Sequence, residues 1–179
     1  MGNEHIGELV LSQQQISQGV STVAKQLNHL YEGKTVVLIT VVPGGILFTA
    51  DLVRQLNFDV EMDYISCPHT TGDRQNNSTI VYHQNIEINN KPVIVIDDAI
   101  ESGGTMQRLI AHLSTQFSPS SLAIASLLVK PGRVDIPVKQ HFAHLMDSDD
   151  MLVGYGLPWN NLNRNLPYIS KLNTVDDKQ

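Results

Sequence analysis

The sequence predicts an α/β fold with a mainly parallel, twisted sheet flanked by helices, and two observations carry that prediction. Thr35–Val42, Pro92–Ile96 and Leu122–Val129 are almost unbroken β-branched and aliphatic runs, the pattern of strands buried on both faces. The first two are each followed by a turn of small residues and then by apolar positions at helical spacing, so strands and helices alternate. At 179 residues the chain is long enough for one domain with a full core, and it shows no internal repeat, low-complexity tract or second domain. The expected unit is therefore a single domain over residues 1–179.

In chain order, Ser12-Gln13-Gln14-Gln15 has the form of a capping box, followed by Ile16, Val20, Val23, Ala24, Leu27 and Leu30 on one stripe. This predicts a packing helix that ends near Gly33. Thr35–Val42 is the first buried strand, Pro43-Gly44-Gly45 breaks it, and Ile46 to Leu56 returns to helical spacing. Phe58 to Ser66 alternates, with Phe58, Val60, Met62 and Tyr64 set against Asp59, Glu61 and Asp63, which predicts a half-exposed strand. Residues 67–85 are polar and aperiodic from Cys67 to Ser78, and read as a mobile lid or hairpin with short strands at Thr79–Tyr82 and Ile86–Ile88.

The chain is organised around Pro92 to Met106. Apolar residues end in Asp97-Asp98, a loop of small residues follows at Ser102-Gly103-Gly104-Thr105, and Met106, Leu109, Ile110 and Leu113 then mark a helix. A helix amino terminus presents unpaired N–H groups and positive dipole charge, so this loop can wrap a phosphate with backbone donors and two hydroxyls. Asp97 and Asp98 fall where the strand is expected to leave the sheet, placed for ribose hydroxyls or a divalent metal. Beyond it lie the buried strand Leu122–Val129, the loop Lys130-Pro131-Gly132-Arg133, an apolar segment Phe142–Met146, and a turn Asp147–Asp150 into Met151-Leu152-Val153. Ligands of such sheets sit at the carboxyl ends of strands, where Gly44, Asp97 and Lys130 all fall.

Composition excludes several classes. A formal charge of −6 without clustered Lys and Arg argues against a nucleic-acid surface. No apolar run approaches the ~18 residues of a membrane span, and no leader is apparent. Cys67, the single cysteine, allows no internal disulfide and lacks an assignable catalytic partner, so it reads as a small buried thiol in a cytoplasmic protein. His141 and His144, three apart on a strand-like segment, are expected to point to opposite faces rather than to one metal. His69 and His83 read as surface residues, and Tyr155 and Trp159 as packing or interface residues.

The stretch from Pro92 to Met106 resembles the phosphoribosyl-diphosphate (PRPP) motif of the type I phosphoribosyltransferases. Asp97 stands for the usual Glu, while Asp98, Ser102, Gly103 and Thr105 match. From about Leu9 to Leu172 the chain is similar to bacterial hypoxanthine(-guanine) phosphoribosyltransferases. Val153-Gly154-Tyr155-Gly156-Leu157 followed by Arg164-Asn165-Leu166-Pro167-Tyr168-Ile169 is the most specific part, and Leu127-Leu128-Val129-Lys130-Pro131 and Phe142 also fall at family positions.

The resemblance implies a small hood lobe from the termini and Mg²⁺-dependent transfer of ribose 5-phosphate from PRPP to N9 of a 6-oxopurine, releasing diphosphate. It implies that Asp97, Asp98, Ser102, Gly103, Gly104 and Thr105 bind the ribose phosphate, with Asp97, Asp98 and Asp149 near the metal. Gly44, Gly45 and Arg133 would meet the diphosphate, and Lys130, Phe142, Ala143 and Asp149 the purine. Glu101 would act as acid/base near purine N7, and the protein would be a homodimer or homotetramer. Departures cluster at the diphosphate end. Val42-Pro43-Gly44 replaces Leu-Lys-Gly, Pro68-His69-Thr70-Thr71-Gly72 replaces the Ser-Tyr lid, Val134 takes the usual arginine position, and Glu101 stands for Asp. The alternative expectation is a non-catalytic PRPP- or nucleotide-binding module on the same fold, serving regulation or assembly.

Overall fold

The computed structural model describes residues 5–68 and 77–173. Its main sheet has five strands, β2 (Thr35–Val42), β3 (Asp59–Ser66), β4 (Pro92–Ile100), β5 (Ser121–Val129) and β6 (Lys139–Leu145). They lie side by side in the order β3-β2-β4-β5-β6, all parallel. Helix α1 (Gln13–Tyr31) packs against β5 and β6, and α2 (Ile46–Val53) against β2 and β4. On the other face, Met106, Leu109, Ile110 and Leu113 of α3 (Gly104–Gln116) join Val37, Ile39, Val93, Val95 and Ile124 in a second core. Hence the strands read as continuous apolar runs: each of them except the two at the edges is covered on both sides.

A second, antiparallel sheet is built from β1 (Ile6–Leu11), β8 (Ile169–Leu172) and β7 (Leu152–Val153), in the order β1-β8-β7. It brings the two ends of the chain together as the hood lobe, whose strands were too short and too far apart in sequence to show a period. Tyr155 ties this lobe to the main sheet, its hydroxyl donating to Asp51 Oδ2 of α2 at 2.7 Å.

Local signals account for most boundaries. Ser12 accepts from Gln15 N at 3.3 Å while Gln15 Oε1 accepts from Ser12 N at 2.9 Å, so the capping box forms and starts α1. Helix α2 stops at Val53, short of Leu56. Asn28 of α1 donates to Gln55 O and accepts from Asn57 N, both at 2.9 Å, and so diverts the chain out of the helix.

Strand β3 is half-exposed, as its alternation predicts. Its alternation holds, but Asp63 and Ile65 face the core at 5% and 0% exposure while Met62 and Tyr64 are exposed. The strand lies at the sheet edge and α2 covers β2 and β4, which leaves the Met62 and Tyr64 side open. The buried acid is tolerated because it is saturated with donors: Tyr82 Oη at 3.1 Å, Asn85 N at 3.0 Å, Asn85 Nδ2 at 2.8 Å and Tyr64 N at 2.9 Å. Burial alone would raise its pKa, yet these bonds hold it below the ordinary carboxylate value.

The short strands expected at Thr79–Tyr82 and Ile86–Ile88 are replaced by one isolated antiparallel bridge, Ser66 with Val81. Side-chain bonds to Asp63, rather than a ladder, hold this part of the chain. Of the lid expected over residues 67–85, the portion 69–76, with His69, lies outside the described residues. Among the described residues no helix is long and apolar enough to cross a membrane.

Candidate active site

The acids lie where β4 parts from β2, since that pairing ends at Thr40 opposite Ile96. Strand β4 stays paired with β5 from Pro92 through Ile100, with Asp97 opposite Ser126 and Ile100 opposite Val129. What changes at the acids is the alternation. Ile94, Ile96 and Ala99 join one core, while Val93, Val95 and Ile100 join the other, so the pattern slips by one residue between Ile96 and Ala99. Regular strands send consecutive side chains to opposite faces. Here both carboxylates converge: a Cβ on Gly44 would stand 3.1 Å from Asp97 Oδ1 and 3.2 Å from both oxygens of Asp98.

Two glycines make room for this pair. Gly44, in the turn after β2, leaves the space in front of the carboxylates open. Gly156, at φ +101°, brings the hood backbone so close that a side chain would overlap Asp98 Oδ2 and Gly44 O. Gly45 serves the packing of the turn on the sheet instead, since a Cβ there would meet Ile96 O at 2.8 Å.

Asp97 Oδ1 accepts from Asp98 N at 2.9 Å and Asp98 Oδ1 from Ala99 N at 2.8 Å. Asp98 Oδ2 is buried and has no hydrogen-bond partner. Burial pushes both pKa values up, Asp97 strongly and further through the neighbouring Asp98 charge, and the positive Arg164 opposes the rise at both. A pair of converging carboxylates with an unpaired buried oxygen is a donor set that suits a hard divalent cation or vicinal hydroxyls. Arg164 lines the same cavity and donates to Gly156 O at 2.5 Å. Sequence reasoning gave it no role, although it stood in the most specific carboxy-terminal motif.

Beside the acids, the loop of small residues turns into α3. Gly103 has φ +83° and α3 begins at Gly104, whose N–H donates to Ser102 Oγ at 3.3 Å. Ser102, Gly103 and Thr105 line the cavity together with Gly44, Asp97, Asp98 and Glu101. The helix amino terminus thus faces the space that the acids border.

The expected base-binding residues gather at the next strand end. Lys130 follows β5, is only 3% exposed, and its Nζ lies 2.6 Å from Glu101 Oε1 and 4.0 Å from Asp149 Oδ1. Its backbone N–H donates to Ile100 O at 2.9 Å, which fixes Lys130 against the acid strand. Phe142 on β6 carries the Arg133 guanidinium over its ring, 5.7 Å from the centroid. Ala143 turns its methyl toward Gly19 of α1, so only its backbone is available to a ligand here.

Cys67 is buried, 3.6 Å from Ser78 Oγ and 3.7 Å from an Arg108 nitrogen. His83 is exposed. His144 Nε2 lies against the Gly19 position of α1, and among the described residues no group of three or more His, Cys, Asp or Glu side chains could share a metal.

A parallel sheet with an acid pair, an anion-binding helix start and a buried lysine at consecutive strand ends defines a nucleotide- or sugar-phosphate-binding α/β protein. Residues 8–154 match the phosphoribosyl transferase domain model, and the chain belongs to that family. It is 28% identical over 178 residues to hypoxanthine phosphoribosyltransferase of Escherichia coli (strain K12), covering 97% of this chain and 99% of the relative. Against hypoxanthine-guanine phosphoribosyltransferase of Staphylococcus aureus (strain Mu50) it is 29% identical over 167 residues, 92% of this chain and 93% of the relative. A solved hypoxanthine-guanine phosphoribosyltransferase from Bacillus anthracis superposes with a TM-score of 0.84 at 31% identity, covering 95% of this chain and 99% of that one.

Proposed function

We propose that this protein is a purine-salvage phosphoribosyltransferase, moving ribose 5-phosphate from PRPP to N9 of hypoxanthine or guanine and releasing diphosphate. The observation that carries the reading is the arrangement around Glu101. Glu101 lines the cavity that holds the converging acids and the anion-binding loop, and its carboxylate contacts Lys130. A sugar phosphate and a base held there would meet at Glu101.

The residues divide the work. The Ser102–Thr105 loop holds the 5-phosphate, away from the bond that breaks, so its contribution is positioning. Asp97 and Asp98 take ribose hydroxyls or the shell of a Mg²⁺ ion, a fit supported by the unpaired Asp98 Oδ2. Bound there, Mg²⁺ supplies Lewis-acid neutralisation of the leaving diphosphate. Asp149 is exposed and 4.0 Å from Lys130, within reach of the base edge or a second ion. Gly44 and Arg164 both line the cavity and are suited to receive the diphosphate.

Lys130 donates to the O6 of a 6-oxopurine, a contact that an adenine amine cannot accept. Phe142 stacks on the ring. Glu101 accepts from, and returns, the purine proton at N7.

Absorbance assays with PRPP, Mg²⁺ and each of hypoxanthine, guanine, xanthine and adenine test this directly. Nucleotide should form from 6-oxopurines and not from adenine. PRPP binding by calorimetry without turnover on any base would sink the enzyme reading and leave a non-catalytic binding module. The reading carries a cytoplasmic location with it, and self-association into a homodimer or homotetramer. Exposed Met62 and Tyr64, on the uncovered side of edge strand β3, offer an apolar face to a second copy. A monomer mass by sedimentation at micromolar concentration would discard that assembly.

A further inference from the structure

We propose that Arg133 is a positioning residue of the base subsite and not a diphosphate ligand, one guanidinium fixing both the Phe142 ring and the loop that carries Lys130. The proposal rests on the reading that Lys130 and Phe142 receive the base.

Three observations converge on it. The Arg133 guanidinium carbon lies over the Phe142 ring, 5.7 Å from its centroid. From the same side chain, Nη1 donates to the backbone carbonyl of Lys130 at 3.1 Å. The turn that permits this passes through Gly132 at φ +67°, a conformation that folds the chain back so that the third residue after Lys130 reaches its carbonyl. Meanwhile the cavity at Gly44 and the acids is walled by Arg164, and Arg133 is not among the residues that line it.

The chemistry suits a brace. A planar guanidinium can stack on an aromatic face and spend an in-plane N–H on a carbonyl at once, which an ammonium cannot. Phe142 sits on β6, an edge strand, and is only partly buried, so its ring needs a neighbour to hold its plane. Lys130 lies in the loop that leaves β5. Immediately beyond Arg133, Val134 N donates to Ser102 O at 2.8 Å, so the far end of this loop is tied to the phosphate-binding loop. Arg133 therefore sets the distance between the stacking ring and the O6 donor, and the Val134 bond sets both against the sugar phosphate.

The test is steady-state kinetics of the full chain with PRPP and hypoxanthine. Arg133→Met keeps the apolar stem and removes the plane and the donors; it should raise the hypoxanthine KM about tenfold, the scale of losing one stacking contact and one charge-assisted bond. The PRPP KM and the inhibition constant of diphosphate should move less than twofold. Arg133→Lys, which can donate but not stack, should recover only part of the loss. A rise in PRPP KM or in the diphosphate inhibition constant with hypoxanthine KM unchanged would overturn the proposal and make Arg133 a diphosphate ligand. No change in any constant overturns it as well. Phe142→Leu separates the two layers of argument: an unchanged hypoxanthine KM in that variant overturns the base-subsite reading and the proposal with it. A raised KM there beside a silent Arg133→Met overturns the proposal alone.

Discussion

Glu101→Gln is expected to lower kcat by about 10²- to 10³-fold while leaving the KM for PRPP within a fewfold of the parent, because a positioned acid/base group typically contributes on that scale. The amide is chosen to separate chemistry from folding. Lys130 is buried and its ammonium sits 2.6 Å from Glu101 Oε1, so removing every acceptor would strand a buried charge, at a cost of about 3–5 kcal/mol. Gln keeps an acceptor for Lys130 and loses only the capacity to exchange a proton. Glu101→Asp is the companion variant. It withdraws the carboxylate by one methylene, and if the backbone of this chain is set for the longer side chain, the shorter one loses activity as well. An Asp variant as active as the parent would show that the loop adapts. A Gln variant as active as the parent would remove Glu101 from the proton transfer altogether.

The same residue shows how far the sequence could be read. That a carboxylate stands after Ile100 and a lysine after Val129 was legible from the motif, since both are local to strand ends. That the two touch was not, because it depends on β4 and β5 pairing with Ile100 opposite Val129. Strand β2 was legible to the residue, since an almost unbroken β-branched and aliphatic run has one interpretation when both faces are covered. Strand β3 was legible in place and period but not in the burial of every side chain. Phe58 and Val60 pack inward, while Met62 and Tyr64 further along the same side are exposed and Asp63 is buried, satisfied by Tyr82 and Asn85 far along the chain, donors that no count of alternation can see.

Arg164 marks the limit in the other direction. Its position in the carboxy-terminal motif was plain, yet its proximity to Asp97 and Asp98 arises because the hood folds back and Gly156 packs against Asp98. The slip in β4 belongs to the same class. That the two acids would act together was expected from the motif, but the means of their convergence was not legible: the alternation of side chains slips between Ile96 and Ala99 while the pairing with β5 keeps its register.

That convergence carries a stability cost, and relieving it gives the second large effect. Asp98→Asn is expected to abolish turnover yet stabilise the metal-free protein by about 1–3 kcal/mol near pH 8, on the scale of a buried carboxylate pushed up to about 6. For a chain of this length that is a rise in Tm of roughly 2–4 °C per kcal/mol. The sign follows from the direction of the shifts. Burial raises the pKa of Asp98, and of Asp97, above the unfolded value. Relative to the unfolded chain, such a group favours the folded state fully below the unfolded pKa of about 3.9 and loses that contribution as pH rises through the folded value. The variant, which has no charge to form at this position, should therefore gain most at pH 8 and converge with the parent by about pH 4. Its amide can also donate toward Asp97, replacing repulsion by a hydrogen bond. Thermal melts in chelator across that range check the expectation, and Mg²⁺ with PRPP should raise the Tm of the parent more than that of the variant. A variant no more stable than the parent at pH 8 would mean that the two carboxylates already share their charge without cost, and that the unpaired Asp98 Oδ2 is not held in readiness for a cation.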